Sequence, residues 1–199
     1  LRHHHERFQR KDARVTVMST TKHTLVALVE DRPGVLTRMA SLFRRRGYNI
    51  ESIAVGHSEQ PHLSRMTFVV SGSAHVLEQV RKQLGKLVDV IKIMDITGDN
   101  ITSRELALIK VRATASTRSE IIEVASIFRA SIIDVANDSL TIEITGDEEK
   151  IDSLINLLRS FGIREIARTG RIALLRGGSS QMPSEEKVPR IQKVEPDSP

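Results

Sequence analysis

Residues 25–50 read LVALVEDRPGVLTRMASLFRRRGYNI, and they show the unit from which the chain is built. The apolar run from Leu25 to Val29 is typical of a buried β-strand, which the turn at 31–34 interrupts. Apolar residues then recur at the spacing of a helix, at Val35, Leu36, Met39, Leu42 and Phe43. Gly47 is the expected left-handed cap that ends this helix. The stretch therefore predicts a strand, a turn and a helix in succession.

The residues that follow complete the unit. The segments 50–55 and 66–70 are rich in β-forming residues, and the polar stretch between them contains Pro61, which indicates a hairpin with a long loop. A second helical stripe is formed by Val76, Leu77, Val80 and Leu84. The segment 88–94 reads as a last strand, so the order is β-α-β-β-α-β.

A second copy of this unit follows in the sequence. Ala40-Ser41-Leu42-Phe43-Arg44 recurs as Ala125-Ser126-Ile127-Phe128-Arg129, at an offset of 85 residues. Met66-Thr67-Phe68 has its counterpart in Leu140-Thr141-Ile142, at an offset of 74. The second hairpin is therefore expected to have a much shorter loop, near Asn137-Asp138.

Two such units predict an α+β chain of two tandem ferredoxin-like (βαββαβ) domains, each a sheet with two helices on one face. We expect the first domain at 23–97, a linker at 98–103 and the second domain at 104–176. A flexible tail or tag is expected at 1–22, and a disordered tail at 177–199. Because the other sheet faces are expected to stay open and apolar, the sequence predicts a homodimer or a higher homo-oligomer, formed through faces or edge strands.

Composition narrows the classes of function. The 199 residues contain no cysteine, so no disulfide, thiolate nucleophile or cysteine-ligated zinc is expected. Of the formal charge of +5, residues 1–22 contribute +4, whereas a nucleic-acid footprint should lie on the folded surface. No apolar stretch approaches the length of a membrane span, and no signal peptide opens the chain. We therefore expect no nucleic acid and no membrane as partners, and a cytoplasmic protein.

Catalytic and metal-binding signatures are absent from the sequence. It contains no phosphate-binding glycine loop, no Gly-x-Ser-x-Gly elbow and no His-Glu-x-x-His motif. His57 and His62 flank the long hairpin loop, and we interpret them as solvated residues rather than ligands. The acidic run 147–149 precedes a helical stripe and is interpreted as helix N-terminal acids. The sequence therefore predicts no catalytic residue, metal site or cofactor in this chain.

The strand-to-helix turn of the first unit has chemistry that suits a free amino acid. Pro33 preorganises the helix start, and Gly34 lets a ligand or another chain approach the backbone closely. The first N–H groups of the helix suit a carboxylate, whereas Asp31 and the amide of Asn49 suit an ammonium group. An alternative of equal weight is that Asp31 caps the helix and Gly34 only relieves crowding.

The second unit lacks this turn. The segment 116–119 stands at the equivalent position without Pro-Gly, and Asp134 stands where the first unit has Asn49. We therefore expect the effector site in the first unit only.

Several stretches resemble the small regulatory subunit of acetolactate (acetohydroxyacid) synthase. They are Asp31-Arg32-Pro33-Gly34-Val35-Leu36, Arg46-Gly47-Tyr48-Asn49-Ile50-Glu51-Ser52, and the segments 64–67, 78–90 and 103–111. The Asp-x-Pro-Gly turn is general to amino-acid-sensing ACT domains, whereas the longer runs are far more specific. The resemblance covers about residues 23–176.

That resemblance implies an N-terminal ACT domain and a C-terminal ACT-like domain in a protein of branched-chain amino acid biosynthesis. The family's small subunit dimerises, binds valine between the ACT domains of two chains, and associates with a separate catalytic subunit. The catalytic chain holds thiamine diphosphate, Mg²⁺ and FAD. The small subunit raises the activity and confers feedback inhibition by valine. By motif match, the implied effector contacts are Asp31, Gly34, Val35 and Asn49, with Leu36 and Ile50 nearby.

The sequence is also compatible with two other classes of protein. Another amino-acid-responsive ACT regulator, such as a transcriptional regulator, would need a DNA-binding element, and no helix-turn-helix is visible in the sequence. A stand-alone enzyme would turn over its substrate without a catalytic subunit.

Overall fold

The computed structural model describes residues 21–177, and its first domain has the predicted order of elements. These are β1 Thr21–Glu30, α1 Val35–Arg45, β2 Asn49–His57, β3 Leu63–Gly72, α2 Ala74–Leu84 and β4 Val90–Asp95. The strands form an antiparallel sheet in the order β2-β3-β1-β4. Strand β2, which contains Asn49, is therefore an edge of this sheet.

The second domain repeats the arrangement and adds one strand. Its elements are β5 Ile101–Arg112, α3 Arg118–Ile127, β6 Ser131–Val135, β7 Ser139–Gly146, α4 Glu148–Leu158, β8 Ile163–Arg168 and β9 Ile172–Leu175. The strand order is β6-β7-β5-β8, with β9 paired to β5. The predicted fold of two tandem ferredoxin-like domains is confirmed.

Each domain buries an aliphatic core between its helices and one face of its sheet. Alternate residues of β1 point to this core, because successive side chains of a strand face opposite sides. In the first domain they meet Phe43 and Phe68, whose ring centroids are 5.3 Å apart. Gly47 follows α1 with a φ of 70°, as the predicted left-handed cap requires. The core of the second domain is built from Ile109, Val111, Ile121, Ile142, Leu154 and their neighbours.

The segment expected to link the domains differs from the prediction. Strand β5 begins at Ile101, inside the predicted linker 98–103, and its residues 101–104 pair with β9 at 172–175. The predicted final strand at 163–175 is in fact two strands, β8 and β9. Strand β1 likewise begins at Thr21, within the predicted tail, and the rest of both predicted tails lies outside the described residues. Local sequence patterns could not predict the pairing of β5 with β9, because it joins residues about 70 positions apart.

The apolar face of the first sheet that we expected to stay open is partly covered within the same chain. Val26 and Met94 on that face pack with Ile96 and with Ala173 of β9. Ile101 and Leu175 are partly buried against this group, which we call the interdomain cluster. The expectation of a fully open face was therefore wrong, because the extra strand pair carries apolar residues of the second domain onto it.

Candidate effector-binding site

The turn after β1 is built around a left-handed glycine. Gly34 is the N-cap of α1, with φ 87° and ψ −10°, and no side chain caps this helix end. The carboxylate of Asp31 instead lies beside His57, with Oδ2 3.1 Å from Nδ1. The interpretation of Asp31 as the helix cap is therefore wrong. His57, predicted to be a solvated loop residue, is exposed to solvent, but it ends β2 next to the turn. No side chain caps the start of α1, and the first turn of this helix contains no acidic residue.

A buried aspartate holds this turn in place. Asp89 is 1% exposed, and its two carboxylate oxygens accept hydrogen bonds from Arg32 and Arg38. Arg32 Nη2 lies 2.7 Å from Oδ1 of Asp89, and Arg38 Nε lies 2.6 Å from Oδ2. The backbone N–H of Glu30 also donates to the Asp89 carbonyl at 2.9 Å. Turn and helix start are therefore both tied to one residue just before β4.

Charge on Asp89 is favoured despite its burial. Burial raises the pKa of its carboxyl, but the hydrogen bonds from Arg38 and Arg32 outweigh this effect and hold the pKa below its usual range. Sequence reasoning missed Asp89, because it lies 57 residues from Arg32 and 51 from Arg38, and no local pattern connects them. Both arginines stay about half exposed, and their charge is balanced by Asp89 and by Glu30, whose Oε2 lies 2.7 Å from Nε of Arg32.

The residues expected to contact the effector differ in what they can offer. Val35 is 3% exposed and belongs to the first core, so that only its backbone N–H can serve a ligand at the turn. Leu36 is 44% exposed and presents an apolar surface beside the turn. A Cβ on Gly34 would lie 3.2 Å from Nη1 of Arg38, so a side chain would crowd the helix start.

The other half of the predicted site lies at the start of β2. Asn49 is exposed and opposes Ser71 of β3, whereas Ile50 is partly buried and packs against the first core. A β-bulge follows, with the register shifting between Ile50 and Ser52. Such bulges bend a strand and re-aim its side chains, so the first two residues of β2 are set apart from the regular strand.

The structure does not bring the two halves of the site together within one chain. Asn49 and Lys22 share the partner Ser71, whereas Asp31 follows the opposite end of β1. The strand from Lys22 to Glu30 corresponds to about 27 Å at the rise of an extended chain. The candidate site therefore consists of two half-sites, a Gly34 half and an Asn49 half, at opposite ends of the first sheet.

The equivalent turn of the second domain is filled by its own side chains. The hydroxyls of Thr114 and Thr117 bond each other at 3.0 Å, and Arg118 donates to the carbonyls of Ala136 and Asn137 at 2.9 Å. No glycine stands in this turn. The physical contrast with the Gly34 turn agrees with our expectation of an effector site in the first domain only, which stays a prediction.

Metal clusters and membrane-spanning helices are both absent from residues 21–177. In that part of the chain no three histidine, cysteine, aspartate or glutamate residues are grouped so that they could hold a metal ion. No helix among the described elements is long and apolar enough to cross a membrane.

The sequence and the structure both have known counterparts. A family model described as "AHAS small subunit-like ACT domain" matches residues 25–92, and one described as "Small subunit of acetolactate synthase" matches residues 104–177. A probable acetolactate synthase small subunit of Archaeoglobus fulgidus is 55% identical over 156 residues, which are 78% of this chain and 98% of that protein.

Two further acetolactate synthase small subunits are similar to this chain. The acetolactate synthase small subunit of Mycolicibacterium smegmatis is 57% identical over 158 residues, 79% of this chain and 93% of that protein. The crystal structure of the acetolactate synthase small subunit from Thermotoga maritima has a TM-score of 0.74 at 44% identity, covering 80% of this chain and 99% of that one. By identity, coverage and fold together, this chain belongs to the family of acetolactate synthase small subunits.

Proposed function

We propose that two copies of this regulatory subunit bind valine between their first domains and transmit feedback inhibition to a catalytic acetolactate synthase subunit. Membership of the family supports a regulatory role and association with a catalytic subunit. We expect the thiamine diphosphate, Mg²⁺ and FAD of the reaction to be held by the catalytic subunit.

The observation that carries the proposal is that the two half-sites lie at the two ends of an exposed edge strand, β2. Strand β2 runs from the Asn49 half to His57, which contacts Asp31 of the Gly34 half. Edge strands present unpaired N–H and C=O groups to another strand. Antiparallel pairing of two β2 strands about Ile53 would set Asn49 of one copy opposite His57 of the second. Two identical sites would then form, each from the Gly34 half of one copy and the Asn49 half of the other.

The chemistry of such a combined site fits a branched-chain amino acid. The N–H groups at the start of α1, which no side chain caps, suit its carboxylate. The Asp31 carboxylate and the Asn49 side-chain oxygen suit its ammonium group. Leu36 and Ile50 can contact the branched side chain. The groups that would contact valine are divided between the Gly34 half of one copy and the Asn49 half of the other. Binding of valine therefore requires both copies.

The proposal is tested by titrating the full chain into the matching catalytic subunit, with and without valine, and following acetolactate formation. We expect no product from the isolated chain, a higher rate once it joins the catalytic subunit, and a fall in that rate when valine is added. The catalytic subunit alone with valine is the control. Turnover by the isolated chain with the three cofactors, or a stimulated rate that valine leaves unchanged, would contradict the proposal.

A further inference from the structure

The turn between β8 and β9, residues 169–171, brings the second domain against the strand that carries the Asn49 half-site. Thr169 fixes this turn to β5: its N–H donates to the Leu106 carbonyl at 2.9 Å, and its hydroxyl accepts from the Leu106 N–H at 3.0 Å. The turn is therefore a rigid part of the second domain and not a free connection.

Gly170 lies against the backbone of β2. A Cβ on this residue would overlap the carbonyl oxygen of Ile53 and would lie 2.9 Å from the backbone nitrogen of Ala54. Its φ lies outside the left-handed region, so the backbone conformation itself would accept a side chain. Glycine is therefore required here by the close approach of two backbones. The contact falls at Ile53, the residue about which two copies would pair.

Arg171 anchors the same turn on both sides. Its backbone N–H donates to the hydroxyl of Ser52 at 2.8 Å. Its guanidinium contacts Glu105, which is 7% exposed, at 3.3 Å and Glu148 at 2.5 Å. Lys22 of β1 joins Glu148 to Glu51, at 2.6 Å and 3.3 Å. Glu51 and Ser52 are the residues of the β2 bulge, so the second domain holds the strand where it changes register.

We propose that the 169–171 turn is a positioning element for β2, and that by holding the bulge it sets the affinity of the Asn49 half-site for the effector. The effector part of this inference rests on the proposed function. Asn49 is three residues from Ser52, and a shift of the bulge would turn its amide away from the ligand. The second domain would thus control effector binding without contacting the effector.

The test compares Gly170→Ala with Gly98→Ala in the full chain. A Cβ on Gly98 meets no atom within 4 Å, and this glycine lies in the segment that connects β4 of the first domain to β5 of the second, so it is the control. Hydrogen exchange of the β2 amides and the Kd for valine are measured on both variants. In Gly170→Ala we expect faster exchange in β2 and a valine Kd raised about tenfold, within the usual range of coupling between sites. We expect both quantities to stay at the wild-type level in Gly98→Ala.

The outcomes separate the two proposals. Equal β2 exchange in the two variants would overturn the positioning role. Faster exchange with an unchanged valine Kd would overturn the coupling to the effector. If the wild-type chain binds no valine, the proposed function fails, whereas the exchange comparison still decides whether the turn positions β2.

A second pair of variants tests the same proposal if Gly170→Ala does not fold. Arg171→Ala removes the ion pairs to Glu105 and Glu148 but keeps the backbone contact with Ser52. Arg164→Ala removes an exposed pair with Asp138 inside the second domain and serves as the control. Faster β2 exchange and weaker valine binding in Arg171→Ala alone would support the proposal, and equal behaviour of the two variants would overturn it.

Discussion

At the scale of single residues, Gly34 combines two requirements that a sequence cannot separate. Its φ of 87° favours glycine on conformational grounds, and a Cβ there would also crowd Arg38. The pattern Asp-x-Pro-Gly predicted the close approach of a ligand, whereas the structure adds the backbone reason. A substitution at this position therefore acts on stability and on the site together, and a control must separate the two.

Gly34→Asp is expected to abolish inhibition by valine, because it places a side chain and a negative charge where the effector carboxylate is proposed to bind. Because position 34 has a left-handed backbone conformation, the aspartate should also lower the free energy of unfolding by roughly 1–2 kcal/mol. Gly162→Asp is the control for a strained backbone outside the site, since Gly162 also has a positive φ, of 90°, with a ψ of 91°, but lies in the second domain. Denaturant unfolding and valine inhibition are measured on both. If both variants lost inhibition by valine, the loss in Gly34→Asp would be explained by lower stability alone.

Asn49→Ala is expected to weaken valine binding while activation of the catalytic subunit survives. The side chain is exposed, so its loss opens no cavity in the core. One charge-assisted hydrogen bond is worth roughly 1.5–3 kcal/mol, which is about 10- to 150-fold in affinity. Calorimetric titration with valine measures it, and Asp134→Ala at the equivalent position of the second domain is the control. Inhibition lost in Asp134→Ala but kept in Asn49→Ala would place the effector in the second domain.

At the scale of elements, the β1–α1 turn depends on a residue from a different part of the sheet. Arg32 and Arg38 lie on either side of Gly34, and both meet Asp89 at the approach to β4. The shape of the turn is thus set by ion pairs in addition to Pro33 and Gly34. Because the pKa of Asp89 is lower in the folded chain than in the unfolded one, folding favours its charged form.

Asp89→Asn is expected to lower the free energy of unfolding at pH 7 by roughly 1–2 kcal/mol, since the neutral amide pairs less well with Arg32 and Arg38. A lowered folded pKa gives stability that is present above about pH 4 and is lost as the pH falls through that folded pKa. The difference between the wild type and the variant should therefore shrink below pH 4. Denaturant unfolding at several pH values measures it.

The control for this prediction is Asp138→Asn. Asp138 also has a lowered pKa, because Arg164 donates a hydrogen bond to it, but the pair is exposed at the surface. Exposed pairs contribute little to stability, so this variant should unfold close to the wild type. A similar loss of stability in both variants would contradict the special role of Asp89.

At the scale of the whole molecule, the two domains have separate cores and a shared boundary. The interdomain cluster and the pairing of β5 with β9 connect them. This boundary covers part of one sheet face and leaves β2 as an exposed edge with Val55 49% exposed. Assembly through this edge is therefore favoured over assembly through the covered face.

The chain is expected to form at least a dimer at micromolar concentration, and valine is expected to favour the dimer. A ligand that needs both copies binds the assembled form better, so mass action shifts the equilibrium toward it. Light scattering over a dilution series, with and without saturating valine, measures this shift. A monomer that saturating valine leaves unchanged would contradict a shared site.

Much of this architecture is readable from local pattern alone. The two copies of the β-α-β-β-α-β unit follow from apolar periodicity, because burial on one face requires a period near 3.6 in helices and long apolar runs in covered strands. The left-handed cap at Gly47 and the special turn at Gly34 follow from residue chemistry. These features depend on neighbours within a few positions, and the structure agrees with them.

Other features depend on residues far apart in the chain, and long-range strand pairing and packing determine them. The pairing of 101–104 with β9, the partnership of Asp89 with two arginines and the contact of Gly170 with Ile53 each join distant positions. The separation of Asp31 from Asn49 also arises here, because antiparallel register sets these residues at opposite ends of one sheet. Residue types can name the members of a site, but strand register determines which of them can meet within one chain.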